Sequence, residues 1–266
     1  MKNKFWLALA CFIVSYIIYT LSQQIFQFYL NIYISIIISQ LAFFLFPVVF
    51  SSHLLSFNFK SAFRINTLKN FHSYTYIFVL FLSLFILTHS IINIQLSLMP
   101  ETVKYVMIEF SKKTDYILKE LSQNNIAIAI LSLGVVPAFS EELIFRGFLQ
   151  KIFENKFGAH LGIVYSSIIF SLLHFNLLNL FPLFLMSLVI GKIAFYTNSI
   201  YPGMIIHFLI NTTTIISKSI SGKFLDANQY YQLSVEIILL FIFSLLFTVI
   251  VIKYFKRYYD YTNIKF

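Results

Sequence analysis

Long, continuously apolar runs separated by short polar stretches dominate the chain. Eight of them stand out, near Phe5–Leu21, Tyr29–Phe50, Tyr74–Ile94, Ile126–Gln150, Leu161–Leu178, Leu180–Thr197, Ile200–Ser217 and Leu233–Tyr254. A helix needs about 20 residues to cross a hydrocarbon core of about 30 Å. Barrel strands alternate apolar and polar positions, and these runs do not, so the pattern predicts helices. The expected fold is all-α, a polytopic transmembrane helical bundle of about eight spans with no separate soluble domain. Two connections exceed a turn. Residues 51–73 are polar and basic, as suits a membrane interface. Pro100–Leu121 puts Val103, Val106, Phe110, Ile117 and Leu121 on one helical face and reads as an amphipathic helix in the interface, a surface connector before a lid. Pro47, Pro182 and Pro202-Gly203 fall at span ends. Pro137 falls inside the fourth span, where it removes the hydrogen bond to the Leu133 carbonyl and predicts a kink.

Composition confirms the membrane class: 59% of the 266 residues are hydrophobic, 11% are charged, and mean hydropathy is +0.83. The net charge of +9 is scattered without a basic face, which excludes nucleic acid and leaves the cations as topology signals. With the N-terminus inside, thirteen Lys and Arg fall on inner segments and six on outer ones, so both termini are expected to be cytoplasmic. Cys11 is the sole cysteine, which rules out an internal disulfide and a cysteine-based metal cluster. Met1-Lys2-Asn3-Lys4 before an apolar run resembles a signal peptide, and Ala8-Leu9-Ala10-Cys11 a lipoprotein box. The run continues well past that box, so it is read as a retained span at the cell membrane.

Polar residues inside the spans change the picture. Glu141 and Glu142 are two of only ten acidic residues, and a carboxylate at bilayer depth costs a few kcal/mol. Residues four apart share a helix face, so Glu142 can pair with Arg146, and His207 with Asn211 points one way. Glu141 sits about 100° round the helix and is left to face another group. At about 1.5 Å per residue, Glu141, His174, His207 and Asn211 lie about 10–20 Å from one leaflet, near the midplane. His89 is read as structural, while His53, His72 and His160 mark span ends. A carboxylate and a histidine sharing a water can act as a general base, with a His–Asn face donating to an oxyanion. Glu141, His174 and His207 could instead hold a divalent metal such as zinc.

Glu141-Glu142…Arg146, Phe170…His174 and His207…Asn211, in that order on separate spans, resemble the CPBP family of intramembrane proteases (CAAX protease and bacteriocin-processing, or Abi). The resemblance covers about residues 126–217, between N-terminal spans (1–125) and a C-terminal span with its tail (218–266). It implies that Glu141 is the catalytic glutamate working with His174, that His207 and Asn211 bind the oxyanion, and that Glu142, Arg146 and Phe170 support the site. The family was first held to be metal-dependent and later described as glutamate proteases. A metal-free site without cofactor is the expectation, because Asn is a poor metal ligand and a good oxyanion donor. The partners it implies are membrane lipids and a hydrophobic or lipidated peptide substrate. A non-catalytic immunity or scaffold protein on the same fold is the alternative, and a proton relay or transporter is a third reading.

Overall fold

The computed structural model of the protein describes residues 2–68, 71–221 and 233–259, with side chains at all of these except 2, 3, 113–115, 117 and 221. The side chains of Lys2, Lys69, Lys113, Lys223 and Lys265, used above for orientation, and of Ile117 lie outside that description. Helices carry the fold, and no strand occurs among the described residues. They are α1 (Lys2–Tyr29), α2 (Ile32–Leu54), α3 (His72–Leu98), α4 (Glu101–Asn124), α5 (Ile126–Phe157), α6 (Ala159–Leu172), α7 (Leu180–Thr197), α8 (Tyr201–Ser221) and α9 (Val235–Tyr258). Six of them (α1, α2, α3, α5, α7 and α9) are long and apolar enough to cross a membrane. Each of the eight predicted runs holds a helix; α6 is apolar but shorter, and α8 carries His207, Asn211 and three threonines along its length. The chain is a multi-pass membrane protein.

Several boundaries differ from the expectation: α1 runs on to Tyr29 and α5 to Phe157, and two further differences bear on the site. The fifth span stops at Leu172, so His174 lies on a turn beyond the helix end. Phe175 takes a left-handed φ of 48°, and the Asn176 side chain accepts the Asn179 N–H, a local bond that competes with helix continuation. Pro47 lies inside α2, which runs on to Leu54. Its missing donor is accommodated by a π-helical stretch, Ser39–Leu45, just before it, and Ile130–Val135 precedes Pro137 in the same way. At the ends of these stretches Phe46 and Val136 donate five residues back, to Leu41 and Leu131, so the bonding has shifted register ahead of each proline. A third such stretch, Leu143–Leu149, follows the carboxylates in α5.

α5 is the central element and packs against α2, α6 and α8, while α3 and α9 run along one another. Tyr76 stacks on Tyr254 at 3.6 Å between centroids, and Thr248 reaches Ser83 at 3.1 Å across the same α3–α9 seam. α1 closes on α2 through Tyr19 stacked on Phe44 at 5.0 Å. The basic connection after α2 is clamped to the bundle. Arg64 is wholly buried, ion-paired with Glu154, and its carbonyl accepts the Ile200 N–H. Gly147 permits that approach, since a Cβ there would meet the Phe63 Cα at 3.0 Å.

The amphipathic face expected on α4 divides in two. Leu121 is buried with Tyr33, Ala129 and Ile215, whereas Val103, Val106 and Phe110 are exposed. Ile108, buried beside Leu96 and Leu178, belongs to the inward side. Thus α4 packs one apolar strip against the bundle and leaves another exposed.

Candidate functional site

The register of α5 separates its two carboxylates. Glu142 is fully buried, and its Oε1 accepts from Arg146 Nη1 at 2.8 Å and from His207 Nδ1 at 3.1 Å. The guanidinium also donates through Nη2 to Ser187 of α7 at 3.1 Å and lies 4.5 Å from the Phe170 ring centroid. A buried carboxylate that lost this partner would be costly, so the pair and its extra donors belong together. Gly203 lets the start of α8 come this close, because a Cβ there would lie 2.6 Å from Glu142 Oε2.

Glu141 faces the other way. Its Oε1 accepts from Gln40 Nε2 at 3.1 Å, and Oε2 lies 3.9 Å from His174 Nε2 and 4.0 Å from His207 Nε2. Oε2 is buried without a hydrogen-bond partner among the described residues. These separations are too long for direct bonds, yet short enough for one water to touch all three atoms. Glu141, His174, His207 and Asn211 line one cavity of about 240 Å³ with apolar walls that include Leu183, Met186 and Leu118 of α4.

Both histidine rings are fixed by their inner nitrogens. His174 Nδ1 bonds to the Phe170 carbonyl at 2.7 Å, one helical turn back, and the Phe170 ring sits 4.5 Å from the His174 ring and 6.0 Å from His207. A carbonyl only accepts, so Nδ1 of His174 donates and Nε2 is the nitrogen left to face the cavity. His207 is held by Glu142 in the same sense. Asn211 donates Nδ2 to the Leu133 carbonyl at 3.1 Å. That is the carbonyl whose i+4 partner is Pro137, so the amide supplies a donor at a position where proline has none and keeps its second N–H free.

All seven residues singled out from the sequence therefore surround one place. The pairing of Glu142 with Arg146 and the divergence of Glu141 follow the helical arithmetic. Two features escaped it: the Glu142–His207 bond and the whole contribution of Gln40. Gln40 is buried and lies on the π-helical part of α2. A lone amide in an otherwise apolar span was the available signal.

Glu141, His174 and His207 offer part of a donor set for zinc. Two imidazoles and a carboxylate are suitable donors, with ring nitrogens supported from behind as metal-binding histidines are. The spacing fits less well: donors on a tetrahedral zinc with bonds of about 2.0–2.1 Å lie about 3.3 Å apart. The observed 3.9 and 4.0 Å are wider than that edge. As placed, the three atoms fit a water better than a metal.

Residues 123–213 match the family described as Rce1-like, type II CAAX prenyl endopeptidase Rce1-like, and all three motifs fall inside that segment. The match bears out the resemblance drawn from the motifs. A protein of Bacillus subtilis (strain 168), named Uncharacterized protein YpbD, is 35% identical over 86 residues, 31% of this chain and 41% of that protein. The chain thus aligns with less than half of that relative's length. No solved structure matches it. Gln40 lies outside both the family segment and the motifs.

Proposed function

We propose, from the family match across residues 123–213, that the protein is an intramembrane endopeptidase. It hydrolyses a peptide bond in a membrane-associated substrate, a lipidated or leader-bearing peptide, with 126–217 as its catalytic core. The observation that carries this reading is the unpartnered Oε2 of Glu141, 3.9 and 4.0 Å from two histidine nitrogens in one cavity. A buried carboxylate oxygen left without a donor is costly unless something polar occupies the space before it.

In the proposed reaction Glu141 accepts a proton from the water held against Oε2, and the water oxygen adds to the peptide carbonyl carbon. His174 Nε2 orients that water through its lone pair. The carbonyl oxygen becomes an oxyanion, received by the free N–H of Asn211 and by Nε2 of His207. For Nε2 of His207 to donate while Nδ1 donates to Glu142, both ring nitrogens carry protons in this step. The proton taken by Glu141 then passes to the leaving nitrogen as the C–N bond breaks. Gln40 holds the far oxygen of the carboxylate, so the near one keeps its aim.

The test is a peptidomic comparison of cells carrying the native chain or Glu141→Gln at matched abundance. Neo-termini that disappear with Glu141→Gln are expected. An unchanged peptide profile would defeat the reading, and a protective phenotype that survives the substitution would favour a non-catalytic immunity role. We propose the metal-free form, which elemental analysis of purified protein checks. Stoichiometric zinc whose removal and restoration switch activity off and on would overturn it.

A further inference from the structure

A second cavity of about 460 Å³ lies between α1 and α2 and is walled on its third side by Leu173 and Phe175. Those two residues flank His174, whose own ring lines the catalytic cavity, so one turn forms a wall of both spaces. The turn is pinned by the Tyr16 hydroxyl, which donates to the Leu173 carbonyl at 3.1 Å. Tyr16 also lines the second cavity, together with Thr20, Gln23, Gln24 and Gln27 of α1 and Ser35 of α2.

The α1 residues fall at i, i+3, i+4 and i+7, a single stripe along the helix. A polar collar at a span end would serve the headgroup region and need no particular face. Here the neighbouring positions Leu21, Ile25 and Phe28 are exposed and apolar, at 52%, 54% and 80%, on a different face from the glutamines, of which Gln24 and Gln27 are also exposed. Polar groups therefore collect on the cavity side and apolar groups on the lipid side. Among the described residues that line this cavity none is charged. Each glutamine amide offers donors and an acceptor, the same set that a peptide group offers in return. The catalytic cavity differs, with aliphatic walls around its polar cluster.

We propose that this glutamine-lined cavity is a substrate subsite that binds an extended, uncharged stretch of peptide on one side of the scissile bond; it rests on the endopeptidase reading above. The stripe from Thr20 to Gln27 rises about 10 Å, the length of about three extended residues. Side chains on that stretch are small or neutral-polar, because the lining offers amides and hydroxyls to meet them and no counter-charge. The substrate is thus two-part: an apolar or lipidated segment in the aliphatic cavity, and a neutral segment beside α1.

The test uses full-length protein in nanodiscs with Glu141→Gln, carrying p-benzoylphenylalanine in place of Gln24 or, separately, of Met186. The probe is a synthetic peptide bearing a farnesyl-cysteine flanked by Ser, Asn and Gly, compared with one whose flanks are Asp. Photocrosslinking of the neutral peptide from both positions is expected, with at least a tenfold lower yield from position 24 for the Asp peptide. Capture from position 186 alone would overturn the subsite and leave the endopeptidase reading standing. Equal capture of both peptides at position 24 would overturn its neutral character, and capture at neither position would overturn the subsite outright. Capture at position 24 of a peptide that the native chain does not cleave would support the subsite and count against the endopeptidase reading.

Discussion

At the scale of single residues, the site is a division of labour between two adjacent carboxylates. Glu142 is given over to Arg146 and His207, while Glu141 keeps one oxygen free because Gln40 holds the other. Gln40→Leu removes that hold without adding charge, so Glu141 can turn away from the water. A fall in kcat of about 10- to 100-fold is expected, with KM within about twofold and unchanged thermal stability. Equal loss of kcat and stability would reduce Gln40 to a packing residue. Helical spacing made the Glu142–Arg146 pair legible from sequence, since both partners lie on α5. It could not reveal Gln40 or the His207–Glu142 bond, because each joins residues from separate spans. Nothing local in the sequence says which faces meet.

At the scale of elements, α5 and α8 are joined by a substitution of donors. Pro137 withholds an N–H from the Leu133 carbonyl, and Asn211 supplies one at 3.1 Å from the neighbouring helix. Asn211→Leu should therefore cost about 1–3 kcal/mol in the native background, from an acceptor left unpaired. In a Pro137→Ala background much of that cost should vanish, because the substituted alanine would supply the N–H along the helix. Thermal unfolding of the four proteins in detergent measures the coupling, and strictly additive effects would contradict it. The sequence exposed half of this arrangement, the orphaned carbonyl, but not its partner. It also missed the π-helical stretches, whose hydrophobic pattern over six or seven residues is too short to distinguish from that of an α-helix. The end of α6 was hidden for a similar reason. Apolar residues continue to Leu178, and only the backbone reversal at Phe175 shows that the helix has stopped.

At the scale of the whole molecule, hydropathy was the most informative signal, because each run of apolar residues must become a helix in lipid. The positions of all eight runs were legible; their boundaries moved, most at the end of α1, from Leu21 to Tyr29, and one interior proline was misplaced at a span end. We propose that both termini are cytoplasmic, which puts α4 outside and the Arg64 connection inside. Cysteine placed at Glu101 in a Cys11→Ser chain should then react with an impermeant maleimide on intact cells. Cysteine at Asn58 should react only after permeabilisation, and the opposite result would invert the topology. The amphipathic α4 shows why pattern alone falls short at this scale. Its two apolar strips are equally visible in sequence, but only the packed structure assigns Leu118 to the catalytic cavity and Phe110 to the outside.

The central claim is that Glu141 activates the water that cleaves a peptide bond. Its most direct measurement is the initial rate of cleavage by purified Glu141→Gln and native protein, at equal folded amounts, on a peptide identified by the peptidomic comparison. The account predicts a rate about 10²–10⁴-fold lower with unchanged thermal stability. A Glu141→Gln protein that cleaves within about threefold of the native rate, well short of that range, would contradict it.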